Sequence, residues 1–255
     1  MLLIVPIIFL VPFSMYRGIN PAEPEYAKRL AEFALNDKTA IFIQVLSLLP
    51  IHLLTFAMVW ALVTRFGKLP FLPAFRWGWH PRLRLAKSIA LALLLFAAGT
   101  AIVKLIGADK PTQLEQIITS SMAARYTIAV LAVLTAPLVE ELLYRGVLYG
   151  ALQRLVGVGG AVIFVLLLFT LVHVPQYLPN FGVIGAVGLL SVSLTIIRAY
   201  TGRLLPCVVI HLVFNAVTSI ILLFEPYLEQ FAPTKDQITS LALMLVPMAA
   251  SLLQS

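Results

Sequence analysis

Long apolar runs decide what this chain can become. From Leu85 to Ile106 the only charges are Lys87 and Lys104, and from Tyr126 to Leu155 they are Glu140, Glu141, Arg145 and Arg154. A helical run of about 20 apolar residues matches the roughly 30 Å hydrocarbon core of a bilayer, and a helix satisfies its own backbone there. At 61% hydrophobic and 11% charged residues, the chain sits far from a soluble domain, where about 45–50% and 25% are usual. The sequence therefore predicts an all-α polytopic transmembrane helix bundle, read as a single integral-membrane domain over 1–255. Its net charge of +7 is not a nucleic-acid signature. The cations fall mostly in loops between apolar runs, where they orient a membrane protein. Cys207 is the only cysteine, so neither an intramolecular disulfide nor a cysteine metal cluster can form.

About eight spans are expected. The first, Leu2 to Tyr16, carries Pro6 and Pro12 and lacks a basic leader and an Ala-x-Ala-like site. It reads as a short retained span. Within 21–38, Tyr26, Leu30 and Phe33 recur at helical spacing between Glu25, Lys28, Arg29 and Glu32. That pattern suits an amphipathic segment on the membrane surface, or a solvated connector with one sticky side. Further spans are expected over 40–63, 85–106, 126–154, 160–175, 181–200, 204–224 and 238–253. Glycines at 156–160 make the turn between the fourth and fifth, and an acidic connector over 225–236 precedes the last.

The loop after the second span holds Arg65, Lys68, Arg76, Arg82 and Arg84 with no acid, together with Phe75, Trp77 and Trp79. Such a loop is expected to lie on headgroups at the cytoplasmic face. Both termini then fall in the cytoplasm, with Arg154, Arg198 and Arg203 on that side and Glu225, Glu229 and Asp236 outside. Size and sparse loops point to a prokaryotic plasma membrane. Gly146 with Gly150, and Gly182 with Gly185 and Gly188, stand at helix-contact spacing.

The chemistry sits where charge enters the apolar runs. Each ionised group near the bilayer centre costs roughly 2.5–3.5 kcal/mol on insertion scales, so Glu140, Glu141 and Arg145 together need a reason. Glu141 and Arg145, four apart, share a helix face and can pair. Glu140 is left over. Phe169 and His173 stand in the fifth span, and His211 with Asn215, again four apart, in the seventh. Glu140 and His173 each lie about 16 residues, or about 24 Å of helix, from the turn near 156–157, so an antiparallel hairpin brings them level. The same count leaves His211 nearer the cytoplasmic face. A carboxylate and imidazoles in a dry cavity suit hydrolysis of an amide in either of two ways. Glu140 and His173 activate water while His211 and Asn215 donate to the oxyanion. In the other, Glu140, His173 and His211 hold a divalent metal such as zinc with an open position for water.

Glu140-Glu141-x-x-x-Arg145, then Phe169-x-x-x-His173, then His211-x-x-x-Asn215, each on its own span and in this order, resemble the CPBP family. This is the CAAX-protease and bacteriocin-processing group of intramembrane proteases, which includes type II CAAX prenyl endopeptidases. The resemblance covers roughly 125–220, read as the catalytic core spans. It implies an intramembrane endopeptidase acting on a peptide or membrane-protein substrate in the bilayer, of CAAX or peptide-maturation type. It implies Glu140 as catalytic glutamate, His173 as its water-orienting partner, and His211 and Asn215 as oxyanion donors. Glu141 and Arg145 would be a supporting ion pair, and Phe169 would pack beside the site. A metal would be a cofactor only if the reaction is metal-dependent. Two rivals stand beside this reading: a non-catalytic immunity or accessory protein, and a proton-coupled transporter. His52 and His80 read as structural and interfacial.

Overall fold

The computed structural model describes residues 4–107 and 110–231, which are helical and contain no strand. In chain order the elements are α1 (Ile4–Tyr16), α2 (Tyr26–Asn36), α3 (Lys38–Leu46), α4 (Leu48–Thr64), α5 (Phe71–Ala74), α6 (Leu85–Ile106), α7 (Gln113–Ser120), α8 (Met122–Leu134) and α9 (Ala136–Glu141). A π-helical turn, Leu142–Leu148, leads into α10 (Tyr149–Tyr177), followed by α11 (Phe181–Thr201) and α12 (Leu205–Phe231).

Five helical runs are long and apolar enough to cross a membrane: Lys38–Thr64, Leu85–Ile106, Met122–Tyr177, Phe181–Thr201 and Leu205–Phe224. The third has 56 residues, about 80 Å at 1.5 Å per residue and more than twice the hydrocarbon thickness. It cannot be one straight crossing. Gly157 has φ 73° and ψ 178°, a conformation that glycine enters at little steric cost, and the run folds back there. The rings of Tyr144 and Phe169, 25 positions apart, lie 5.1 Å from centroid to centroid. The expected fourth and fifth spans are the two legs of this hairpin.

The count of about eight is not reached among the described residues. The first helix, α1, has 13 residues, about 20 Å and short of a crossing. The eighth expected span lies outside the described residues. The acidic connector is also shorter than expected, because α12 continues helically to Phe231. Glu and Leu are good helix formers, and Tyr227 and Tyr126 share a hydrogen bond of 3.3 Å between their hydroxyls. In α2 the residues Tyr26, Leu30 and Phe33 are half-buried while Glu25, Lys28, Arg29 and Glu32 are exposed. The apolar stripe meets protein, with Phe33 5.7 Å from the ring of Phe13. Asp37 ends α2 and caps α3, accepting from the amides of Thr39 and Ala40, which meets orphan donors of the first turn.

Small residues set the closest helix contact. A Cβ on Gly182 would lie 2.9 Å from the Gly107 carbonyl oxygen and 3.0 Å from Val103 Cα, and one on Gly99 3.3 Å from Ala186 Cβ. These glycines let α6 and α11 touch backbone to backbone. Around that contact Ala92, Leu95, Leu190, Leu194, Cys207 and Ile210 form a buried cluster.

The basic loop corrects an expectation. Its aromatics do not simply lie on headgroups, because Phe75 is only 1% exposed and packs with Val59, Leu142, Leu204 and Val208, with Trp77 beside them. Burying a large ring outweighs keeping it at an interface. Gly146 makes the room: a Cβ there would lie 2.4 Å from Phe75 Cε1. Its partner is a loop side chain rather than another helix, and Gly150 faces open space. Gly146→Ala should therefore overpack the cluster and cost about 1–3 kcal/mol. Thermal melting of the detergent-purified protein reads this, and Gly146→Ala/Phe75→Leu should recover part of the loss. Native-like melting of Gly146→Ala would show that Phe75 does not occupy this place.

Candidate active site

The site begins at a break. Pro137 stands in the first turn of α9, and its ring cannot donate to the preceding helix. Thr135, between α8 and α9, donates to the Leu131 carbonyl at 3.1 Å. With that proton spent, Thr135 Oγ1 accepts from His52 Nδ1 at 2.7 Å. His52 thus serves the helix break, in the structural role its sequence context suggested. Glu140 and Glu141 close α9, and Arg145 lies in the π turn. Such turns recur at functional sites.

Arg145 and Glu141 are both 0% exposed. Arg145 Nη1 donates to Glu141 Oε1 at 3.0 Å, so the pair read from the spacing forms across the π turn. The rest of the guanidinium reaches α11. Nη2 donates to the Ser191 carbonyl at 2.9 Å and the Ser191 hydroxyl at 3.0 Å, and Nε donates to Thr195 Oγ1 at 3.3 Å. The ring of Phe169 lies 4.6 Å from the guanidinium carbon, within cation–π range.

His211 joins the same carboxylate. Its Nδ1 lies 2.9 Å from Glu141 Oε1. A carboxylate paired with arginine only accepts, so Nδ1 carries the proton and donates. Nε2 then faces Glu140, 3.8 Å from Oε2. The residue count left open how His211 comes to join Glu140. The turn before α12 is drawn into the bundle, where Leu204 and Cys207 are both 0% exposed, so α12 starts deeper than a surface turn allows.

His173 is oriented in a parallel way. Its Nδ1 lies 2.6 Å from the Phe169 carbonyl, which only accepts, so this nitrogen also donates and Nε2 is left over. Its ring stacks 4.5 Å from Phe169 and 6.4 Å from Tyr177. Tyr144 meets Phe169 in the hairpin, with His173 one turn beyond Phe169 and Glu140 one turn before Tyr144. Phe169 is the hub, with the ring of His211 6.0 Å away. Glu140 keeps 24% of its side chain exposed, in contrast to its buried neighbour. Asn215 follows His211 by one turn on α12. Its Nδ2 donates to the Ala132 carbonyl at 2.9 Å and ties α12 to α8.

Three polar residues of α11 escaped the sequence reading in this role. Ser191 and Thr195 hold Arg145, and Arg198, taken for an interfacial cation, is buried and donates from Nε to the Arg145 carbonyl at 3.1 Å. Their spacing of four and three puts all of them on one helix face, which is the signal that could have found them.

The three metal-ligand candidates do not assemble. Among the described residues no group of three or more His, Cys, Asp and Glu is arranged to hold an ion. These residues do not fit a bound zinc as placed.

No curated protein and no solved structure matches the chain. A family model described as type II CAAX prenyl endopeptidase Rce1-like matches residues 122–217. That stretch runs from the start of α8 through Asn215 on α12, and it contains every residue of the cluster around Arg145. With five runs long and apolar enough to cross a membrane, this is an integral membrane protein whose residues 122–217 are similar to the Rce1-like, type II CAAX prenyl endopeptidase family, in line with the resemblance carried by the three motifs.

Proposed function

We propose that the chain is an intramembrane endopeptidase that hydrolyses a peptide bond at or near the bilayer, with Glu140 as general base. The observation that carries this is an oriented imidazole beside a partly open carboxylate. His211 spends Nδ1 on Glu141 and presents Nε2 3.8 Å from Oε2 of Glu140, which keeps solvent access, and His173 likewise spends Nδ1 on a fixed acceptor.

In this mechanism a water lies against Glu140, and His173 Nε2 accepts one of its hydrogens to orient it. Glu140 takes the other proton as the water oxygen bonds to the substrate carbonyl carbon. His211 keeps its Nδ1 proton toward Glu141, and its Nε2 donates to the oxyanion once that nitrogen also carries a proton. The Asn215 amide has two N–H donors and spends one on Ala132, so the second serves the same oxygen. Collapse breaks the C–N bond, and Glu140 returns its proton to the leaving amine. Glu141 and Arg145 do no proton transfer. They hold His211 in one tautomer. CAAX-type chains and peptide-maturation precursors are the substrate classes consistent with the family. In this reading the acid-free, basic loop over 65–84 faces the cytoplasm.

Glu140→Gln should lower cleavage of a fluorogenic membrane peptide about 10²- to 10⁴-fold while melting stays native-like, and chelator should leave the native rate unchanged. Native-like proteolysis by Glu140→Gln would sink the mechanism, and loss on chelation restored by zinc would replace it with a metal-ligand role. Arg145→Ala strands Glu141 as a buried charge, which should cost about 3–5 kcal/mol. Its yield and melting temperature should fall even in the Glu140→Gln background, separating scaffold from chemistry. Unaltered melting would mean that the buried pair carries no structural role.

A further inference from the structure

At the turn between α11 and α12 the fold gathers four arginines, Arg76, Arg82, Arg198 and Arg203. Two segments interleave there. Arg76 Nη1 would lie 3.6 Å from a Cβ on Gly202, and Arg203 Nη1 3.8 Å from a Cβ on Gly78. The loop therefore lays a guanidinium on the turn, and the turn returns one to the loop. Arg82 Nη1 donates to the Tyr200 hydroxyl at 3.2 Å, which pins the loop to the end of α11. Among the described residues none of the four makes an ion pair. The carboxylate held one step away, Glu141, is already shared by Arg145 and His211.

Arg198 sets this apart from an ordinary basic loop on headgroups. Its residue is 9% exposed, and although Nε serves the Arg145 carbonyl, Nη1 is buried without any hydrogen-bond partner. An unmet donor on a buried charge is among the most costly polar omissions in a fold. Arg76 lies close enough for its charge to oppose that of Arg198, which adds repulsion to the missing bond. Arg76 also has φ 51°, a left-handed conformation that a long L side chain seldom adopts and that tends to persist where a ligand or switch requires it. Headgroup proximity accounts for the exposed Arg76, Arg82 and Arg203. It accounts for neither the buried orphan nor the strained backbone.

We propose that Arg76, Arg198 and Arg203 form a binding site for a phosphate-type oxyanion at the α11–α12 turn. Such a group presents several acceptor oxygens to guanidinium forks, so one ligand meets Nη1 of Arg198 and neutralises the repulsion from Arg76. A phosphodiester headgroup of an anionic lipid and free phosphate share this chemistry. The site adjoins the Glu140 cluster through the hydrogen bond from Arg198 to the Arg145 carbonyl, and its occupancy does not depend on proteolysis.

The test uses the full chain in phosphatidylcholine nanodiscs. One arm adds phosphatidylglycerol and reads lipid retention by native mass spectrometry. The other adds inorganic phosphate and reads the melting temperature. Phosphatidylglycerol should be retained roughly 150-fold over phosphatidylcholine, the discrimination expected from three arginine–headgroup contacts at about 1 kcal/mol each. Arg76→Gln/Arg203→Gln, which alters exposed side chains only, should bring that ratio down to about fivefold, the share left to Arg198. Arg198→Lys should lower it while keeping the charge. A lipid preference identifies the headgroup as the source, and a phosphate-dependent rise in melting temperature without it identifies the free anion. Absence of both effects overturns the proposal, as does an effect of either kind that Arg76→Gln/Arg203→Gln leaves intact.

Discussion

A guanidinium with no exposed surface inside an apolar bundle must be met on every side, and Arg145 is. Its donors reach Glu141, the Ser191 carbonyl and hydroxyl, and Thr195, while Phe169 covers one face. The desolvation cost of such an ion is recovered only when geometry and hydrogen bonding are both complete. Completeness here fixes more than one contact. It sets the register of α11 against the π turn and the depth of Phe169 on the returning leg of the hairpin. Because Glu141 Oε1 is shared with His211, it sets the rotation of α12 as well. Three helices and the π turn are positioned by one buried charge.

The irregular points of the backbone are what make this convergence reachable. Pro137 ends the α8 hydrogen-bond ladder, and the π turn carries Arg145 toward α11. Gly157 folds the long run back so that Phe169 meets Tyr144, and the turn at 202–204 enters the bundle under Phe75. Regular helices joined at the surface would leave these side chains at different depths. Gly146, with no room for a Cβ beside Phe75, shows how tightly the loop over 65–84 is wedged against the segment bearing Arg145.

Much of the site was legible because helical periodicity is local. Glu141 and Arg145 announce their pairing by spacing alone. Gly157 announces the hairpin, after which equal counts to Glu140 and His173 follow from a constant rise per residue. His211 was left unplaced because that count assumes turns at the membrane surface, and the burial of Leu204 is a tertiary fact. Ser191 and Thr195 were silent for another reason. A hydroxyl in an apolar helix commonly bonds its own backbone one turn back, as Thr195 also does to Ser191, so its presence does not advertise a cross-helix partner. Phe75 looked interfacial because its neighbours are arginines and tryptophans, and composition cannot say which aromatic turns inward. The short α1 and the continuation of α12 past Glu225 were lost because apolar length and charge locate helix ends only loosely.

Adjacent glutamates in one helix invite the question of why the chain needs both. Side chains one residue apart point about 100° apart, so a single helix can offer one carboxylate to its protein and another to a cavity. Glu141, fully buried, accepts on Oε1 from both Arg145 and His211 and serves as an anchor, while its Oε2 has no partner. Glu140 keeps a quarter of its side chain open and has no comparable anchor. A general base needs a lone pair that is unspent and a partner that orients its water, whereas an anchor needs fixed donors on the oxygen it offers. In the proposed mechanism the two requirements are incompatible in one residue. Splitting them across neighbours lets the buried carboxylate fix the His211 tautomer while the open one remains free to accept a proton.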